Sequence, residues 1–136
     1  MEFVQDNLLL VIAAVASGTM LLWSFFGNRV SGINEVNTME ATRLMNEEAL
    51  LLDVREDNEW AVGRLPNARH IRLSELSKRL SELEKFKDKP IVVYCRSGNR
   101  SARACAMLKK SGFSNASNLA GGITAWEQAN LPITNK

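Results

Sequence analysis

Two stretches of this 136-residue chain are apolar without alternation: Ala49-Leu50-Leu51-Leu52-Asp53-Val54 and Ile91-Val92-Val93-Tyr94. A strand with one wet face alternates with period two. A strand that does not alternate needs apolar cover on both faces, as in a parallel sheet under helices. The segments around these runs carry helical signals. Thr38 can cap a helix with Ala41, Leu44 and Met45 along it, and Ser74 can cap one with Leu76, Leu80 and Leu83 on one face. Residues 99–110 read as a helix that ends in Lys109-Lys110 and stops at Ser111-Gly112. Asn118-Leu119-Ala120 is a short strand candidate, and Gly121-Gly122 opens a last helix carrying Ile123 and Trp126. Alternating strands and helices place the chain in the α/β class, with a mainly parallel sheet flanked by helices.

In such sheets ligands bind beyond the carboxyl ends of the strands. Cys95 stands at that end of the 91–94 run and is followed by a polar turn, Arg96-Ser97-Gly98-Asn99, that enters a helix. The first N–H groups of a helix are unpaired and carry partial positive charge. They favour a thiolate over a thiol and can hold an anion. Gly98 lets successive N–H groups turn inward, and Arg96 and Arg100 add charge. Nucleophile and anion cradle thus come from one stretch. Cys105 differs: it lies among Ala102, Ala104, Ala106, Met107 and Leu108, and reads as core. At 1.5 Å per helical residue it is about 15 Å from Cys95, too far for a ready disulfide.

Other function classes fall away on composition. The net charge of +2, without a lysine or arginine cluster, makes no case for nucleic acid. Two cysteines and one histidine are too few for a structural zinc site or a disulfide framework. No metal or cofactor is expected, and the thiols read as reduced.

The N-terminal part has a different character. Residues 8–26, LLLVIAAVASGTMLLWSFF, carry no charge and approach the length that spans a bilayer. A buried core helix is one alternative, but Ser17, Thr19 and Ser24 gather on no single face. A cleaved secretory signal is another, with Ala14-Val15-Ala16 as the cut, but the preceding residues hold two acids and no base. The expectation is an uncleaved single-pass transmembrane helix. Arg29 follows the span and no base precedes it, which sets the C-terminal part in the cytoplasm and the chain in the cell membrane. Ala14 and Gly18 form a small-xxx-small pair through which a weak homodimer could form. The expected organisation is a flank at 1–7, the span at 8–26, a linker at 27–32, one domain at 33–133 and a tail at 134–136.

Four pieces then stand in order: LLDVRE (51–56), GRLPNARHI (63–71), VVYCRSGNRS (92–101) and LAGGITAW (119–126). Together they resemble the rhodanese family of single-domain sulfurtransferases, over residues 33–133. The resemblance implies a five-stranded parallel sheet flanked by helices, with Cys95 as nucleophile. It implies a substrate cradle made by Arg96, Ser97, Gly98, Asn99 and Arg100, supported by Asp53, Arg55 and Ser101. One block departs: Gly63-Arg64-Leu65-Pro66-Asn67-Ala68 stands where relatives often read G-H-I-P-G-A.

Cysteine phosphatases share this design, so phosphate or arsenate chemistry is the rival. Their loop places arginine six positions after the cysteine; here that position is Ser101, and Arg100 comes one earlier. Within the rhodanese-like group the shorter loop goes with sulfur transfer. The implied reaction is a double displacement. The Cys95 thiolate takes the outer sulfur of a donor such as thiosulfate, and a thiol or protein acceptor (cyanide in vitro) removes it. Two further roles stay open: a persulfide carrier with little thiosulfate activity, and a recruiting module without chemistry. His70 is expected to be structural, Trp60 and Trp126 to be core, and Gly121-Gly122 to make a tight turn at the edge of the site.

Overall fold

The computed structural model describes residues 7–30 and 33–136, with the backbone alone for 21–30. The chain divides into two compact units between Gly32 and Ile33. In the first, a helix α1 spans Leu8–Val30. It begins where the charge-free run begins, but continues past residue 26 into the expected linker; a lone glycine such as Gly27 weakens a helix by only about 1 kcal/mol. The rest of that linker, 31–32, and most of the expected N-terminal flank lie outside the described residues. Among the described residues no helix is long and apolar enough to cross a membrane. The expected span over 8–26 is therefore not a structural finding.

The second unit holds five parallel strands: β1 Asn34–Val36, β2 Leu50–Asp53, β3 Arg69–His70, β4 Ile91–Tyr94 and β5 Ala116–Leu119. Their order is β1-β5-β4-β2-β3. The helices are α2 Thr38–Asn46, α3 Asp57–Val62, α4 Leu73–Leu76, α5 Asn99–Lys110 and α6 Gly122–Gln128, with a 3-10 helix at Leu80–Phe86.

The non-alternating runs are β2 and β4, two of the three inner strands, as their burial demands. Side chains of β4 point alternately to the two faces. Ile91, Val93 and Cys95 join a core with Leu52, Ala104, Cys105 and Leu108. Val92 and Tyr94 join another with Leu51, Leu119, Ile123 and Trp126. The edge strands escape sequence reading because β1 has three residues, two of them exposed, and β3 has two.

Two helix expectations need correction. Asn37, not Thr38, caps α2: its side chain accepts from the Glu40 N–H at 2.8 Å. The helix expected after Ser74 is two short pieces, and α4 begins at Leu73. Arg79 pairs with Glu75 on one side and Glu82 on the other, which ties down the intervening turn. Leu76 and Leu83 still reach the core across that break.

Candidate active site

β4 ends at Tyr94, Cys95 follows, and α5 starts at Asn99. The loop between must turn sharply, and Gly98 does so at φ 108°, a region other residues resist. Its carbonyls are held from behind. Cys95 C=O accepts from the Ile123 N–H at 2.9 Å and Arg96 C=O from the Thr124 N–H at 3.2 Å. Gly98 C=O accepts from Asn118 Nδ2 at 3.0 Å. With these carbonyls turned outward, N–H groups can face inward. The Gly98 N–H donates to Cys95 Sγ at 3.1 Å, and Ser101 Oγ lies 3.3 Å from the same sulfur.

Burial pushes the Cys95 thiol up. The hydrogen bonds from the Ser101 hydroxyl and from the N–H groups of Ser101, Gly98 and Ser97 outweigh that and hold it below its ordinary value. Cys105 is also buried but has no such donors, and burial raises it to about 12. Both cysteines are free.

The close fit of α6 against the loop depends on Gly122. A Cβ there would collide with the Cys95 carbonyl oxygen and lie 2.6 Å from Arg96 backbone atoms. The expected turn at Gly121-Gly122 thus proves to be the seat of the loop.

Asp53 and Arg55, expected to support the loop, bond to each other and to the 63–68 block. Both are buried, and Arg55 reaches Asp53 with Nε at 3.0 Å and NH2 at 2.7 Å, then spends NH2 on the Gly63 carbonyl at 2.7 Å. A buried pair with these extra bonds fixes the chain reversal after β2. Tyr94 Oη accepts from the Leu65 N–H at 3.2 Å, which ties β4 to the 63–68 block.

The cradle residues separate. Arg96, Ser97 and Asn99 are exposed on the loop, and Gly98 and Ser101 are buried against the sulfur. Ser101, expected only in support, touches Cys95 directly. Arg100, expected to orient an anion, is engaged by Glu59 through NH1 at 2.6 Å and NH2 at 2.9 Å. Arg100 therefore brings much less free charge to the loop than its position suggests.

That pairing with Arg100 lowers Glu59 from its ordinary 4.5 to about 2, against a smaller opposing effect of burial. A depressed carboxylate stabilises the fold above its unfolded value, and the gain disappears as pH falls through the folded value. Denaturant titrations should show the wild type about 2 kcal/mol more stable than Glu59→Gln at pH 7, after allowance for solvent screening. The difference should shrink to nothing between pH 4.5 and 2. A constant difference would mean the pair stabilises nothing.

Sequence reasoning missed Glu59, Asn118 and the contact role of Gly122. Glu59 lies 41 positions from its partner Arg100, and no local pattern marks the pair. Trp60 is not core: it is half-buried, stacked on His70 at 4.7 Å between ring centres, with Arg64 over its ring at 4.4 Å. His70 Nε2 lies 2.7 Å from the Arg55 carbonyl, a structural contact. Trp126 is buried, and its Nε1 donates to the Pro132 carbonyl. A cleft of about 520 Å³ adjoins the loop, with Arg55, Glu59, Gly63, Arg96, Ile123 and Thr124 among its lining residues. Cys95 is not among the lining residues and is 1% exposed.

Comparison with known proteins agrees with this architecture. The family described as Rhodanese-like domain matches residues 38–129. A protein of Allochromatium vinosum named Sulfurtransferase is 39% identical over 103 residues, covering 74% of this chain and 94% of its own. YibN of Escherichia coli is 33% identical over 135 residues, covering 98% of this chain and 94% of its own, so that likeness includes the N-terminal unit. The crystal structure of a rhodanese-related protein from Thermoplasma volcanium superposes with a TM-score of 0.69 at 32% identity, covering 76% of this chain and 99% of that one.

Proposed function

The chain belongs to the rhodanese-like family, and from that premise we propose that it is a sulfurtransferase working through a Cys95 persulfide. Its donor is thiosulfate or another persulfide, and its acceptor is a thiol, free or on a protein. One observation carries this reading: the Cys95 sulfur sits at the start of α5 and receives the Gly98 N–H at 3.1 Å and the Ser101 hydroxyl at 3.3 Å. Those donors stabilise the Cys95 thiolate that attacks the donor sulfur. The cradle of Arg96, Ser97, Gly98, Asn99 and Arg100 would then hold the incoming donor.

The test is intact mass of the full chain, purified in detergent and incubated with thiosulfate without reductant. One added sulfur, located on Cys95 and released by cyanide as thiocyanate, is the expected result. A folded chain that takes up no sulfur from thiosulfate or from a persulfide donor would overturn it.

A second reading has one observation in its favour. Arg100 is paired with Glu59, so Arg96 is left as the exposed cation of the loop. That weakens the pull on a small dianion and favours a persulfide handed over by a partner. Sulfur taken up from a persulfide but not from thiosulfate would select this carrier role.

The N-terminal unit is proposed as a cell-membrane anchor with the catalytic domain on the cytoplasmic side. Support comes from the charge-free run and from the outward-facing Leu9, Leu10, Ile12 and Val15. Ala14 and Gly18 would let two such helices approach as a weak homodimer. Alkaline carbonate extraction of membranes from expressing cells should leave the full chain in the pellet. Release into the supernatant would sink the anchor.

A further inference from the structure

Around Cys95 one proton has two claimants. Ser101 Oγ lies 3.3 Å from Cys95 Sγ and 2.5 Å from Asn118 Oδ1. A hydroxyl carries a single proton and cannot donate to both. Asn118 cannot remove the conflict by turning its amide over. Its Nδ2 donates to the Gly98 carbonyl at 3.0 Å, and the turn would set two acceptors against each other there. All three side chains are buried, so an unmade bond is costly.

We infer that Asn118 is a positioning residue that sets how readily Cys95 ionises and takes up sulfur, by competing with its sulfur for the one proton of Ser101. This rests on Cys95 being the sulfur-carrying nucleophile. In the thiol form the Cys95 S–H donates to Ser101 Oγ, whose own O–H donates to Asn118 Oδ1, and both bonds are made. When the thiol loses its proton to solvent, the Ser101 hydroxyl turns to the thiolate and its bond to Asn118 is given up. The thiolate then attacks the outer sulfur of thiosulfate. A new S–S bond forms at Cys95 Sγ, the old one breaks, and its electron pair leaves on sulfite. The negative charge now sits on the outer sulfur, Sγ is neutral, and the Ser101 proton can return to Asn118. Asn118 therefore opposes the bare thiolate and favours the sulfur-loaded form over it.

Arg100 attracts the Cys95 charge through space in every variant alike, while the Ser101 proton lies between Cys95 Sγ and Asn118 Oδ1. Arg96 and Arg100 stand on the loop and α5, with Arg100 held by Glu59, and Cys105 lies along α5. β2 brings the mutually paired Asp53 and Arg55 at the level of Tyr94, while β5 and α6 bring the uncharged Asn118 and the Ile123 N–H.

The experiment follows the rate of Cys95 alkylation by iodoacetamide against pH in the full chain, by intact mass. Asn118→Leu should lower the midpoint by about 0.5 to 1 pH unit and reduce the persulfide-to-thiolate ratio at fixed thiosulfate and sulfite about three- to tenfold. Ser101→Ala should raise the midpoint, and adding Asn118→Leu to it should change nothing further. If Asn118 merely supports the loop, its loss frees the Gly98 N–H from the sulfur and the midpoint rises with or without Ser101. That result, or an unmoved midpoint, would overturn the inference. Should Asn118→Leu fail to fold, Asn118→Asp keeps the size of the side chain and binds the Ser101 proton more tightly, at the cost of the bond to the Gly98 carbonyl. It should raise the midpoint by at least about one unit, and much less in the Ser101→Ala background. An equal rise in both backgrounds would be charge or a displaced loop and would also overturn it. Alkylation reports the thiolate whether or not sulfur moves, so failure here is read separately from failure of the sulfurtransferase reading.

Discussion

Cys95→Ser is expected to lower kcat/KM for sulfur transfer by at least about a thousandfold, to the level of solution chemistry. The reaction needs a sulfur nucleophile that can carry a second sulfur, and a serine alkoxide can neither form readily at neutral pH nor hold one. The fold should survive. A serine Oγ can accept from the Gly98 N–H and the Ser101 hydroxyl, which are the partners of Cys95 Sγ. Thermal melts should therefore stay close to wild type while turnover disappears. Cys105→Ala supplies the contrast. Cys105 is buried with its thiol raised to about 12, so it is no nucleophile, and its loss should leave turnover unchanged at a cost of about 1 kcal/mol in stability. Retained transfer in Cys95→Ser, or lost transfer in a folded Cys105→Ala, would move the chemistry off Cys95.

Gly122→Ala is expected to be the most damaging single methyl in the domain. Gly122 has φ 58°, and the new Cβ would lie 2.6 Å from the carbonyl carbon and oxygen of Arg96. The obstacle is backbone, so no side chain can swing away. Either α6 retreats and loses the Ile123 and Thr124 N–H bonds to Cys95 and Arg96, or the loop moves with them. Backbone strain and the displaced bonds together should cost about 3 kcal/mol, a fall in Tm on the order of 15 °C for a domain of this size. Activity should fall about a hundredfold even at temperatures where the variant is folded, because the sulfur and its donors no longer align. Stability and activity both within a factor of two of wild type would show that the loop is not seated on α6.

The parts of the site that could be read from the sequence are those made by neighbours in the chain. Cys95, Gly98 and the entry to α5 follow one another directly, so the end of a buried run followed by a polar glycine turn already implies a nucleophile at a helix start. The fold class was legible for a similar reason. Two apolar runs without alternation can only be inner strands, and β2 and β4 are such strands. The edges were not legible. β1 and β3 are too short for any pattern, and they exist because β5 and β2 offer them a ladder.

What only the tertiary structure decided are the contacts between distant segments. Glu59, on α3, reaches Arg100 and takes up the charge that sequence order assigned to the substrate. Asn118 comes from β5 to divide the Ser101 proton, and Gly122 brings α6 onto the loop carbonyls. Local order along the chain places Cys95 at the end of a buried strand and at the entry to α5, with Gly98 between them. How strongly Cys95 ionises, and which cation is free to meet an anion, depends on hydrogen bonds between segments 17 and 41 residues apart, and spacing along the chain does not encode those partners.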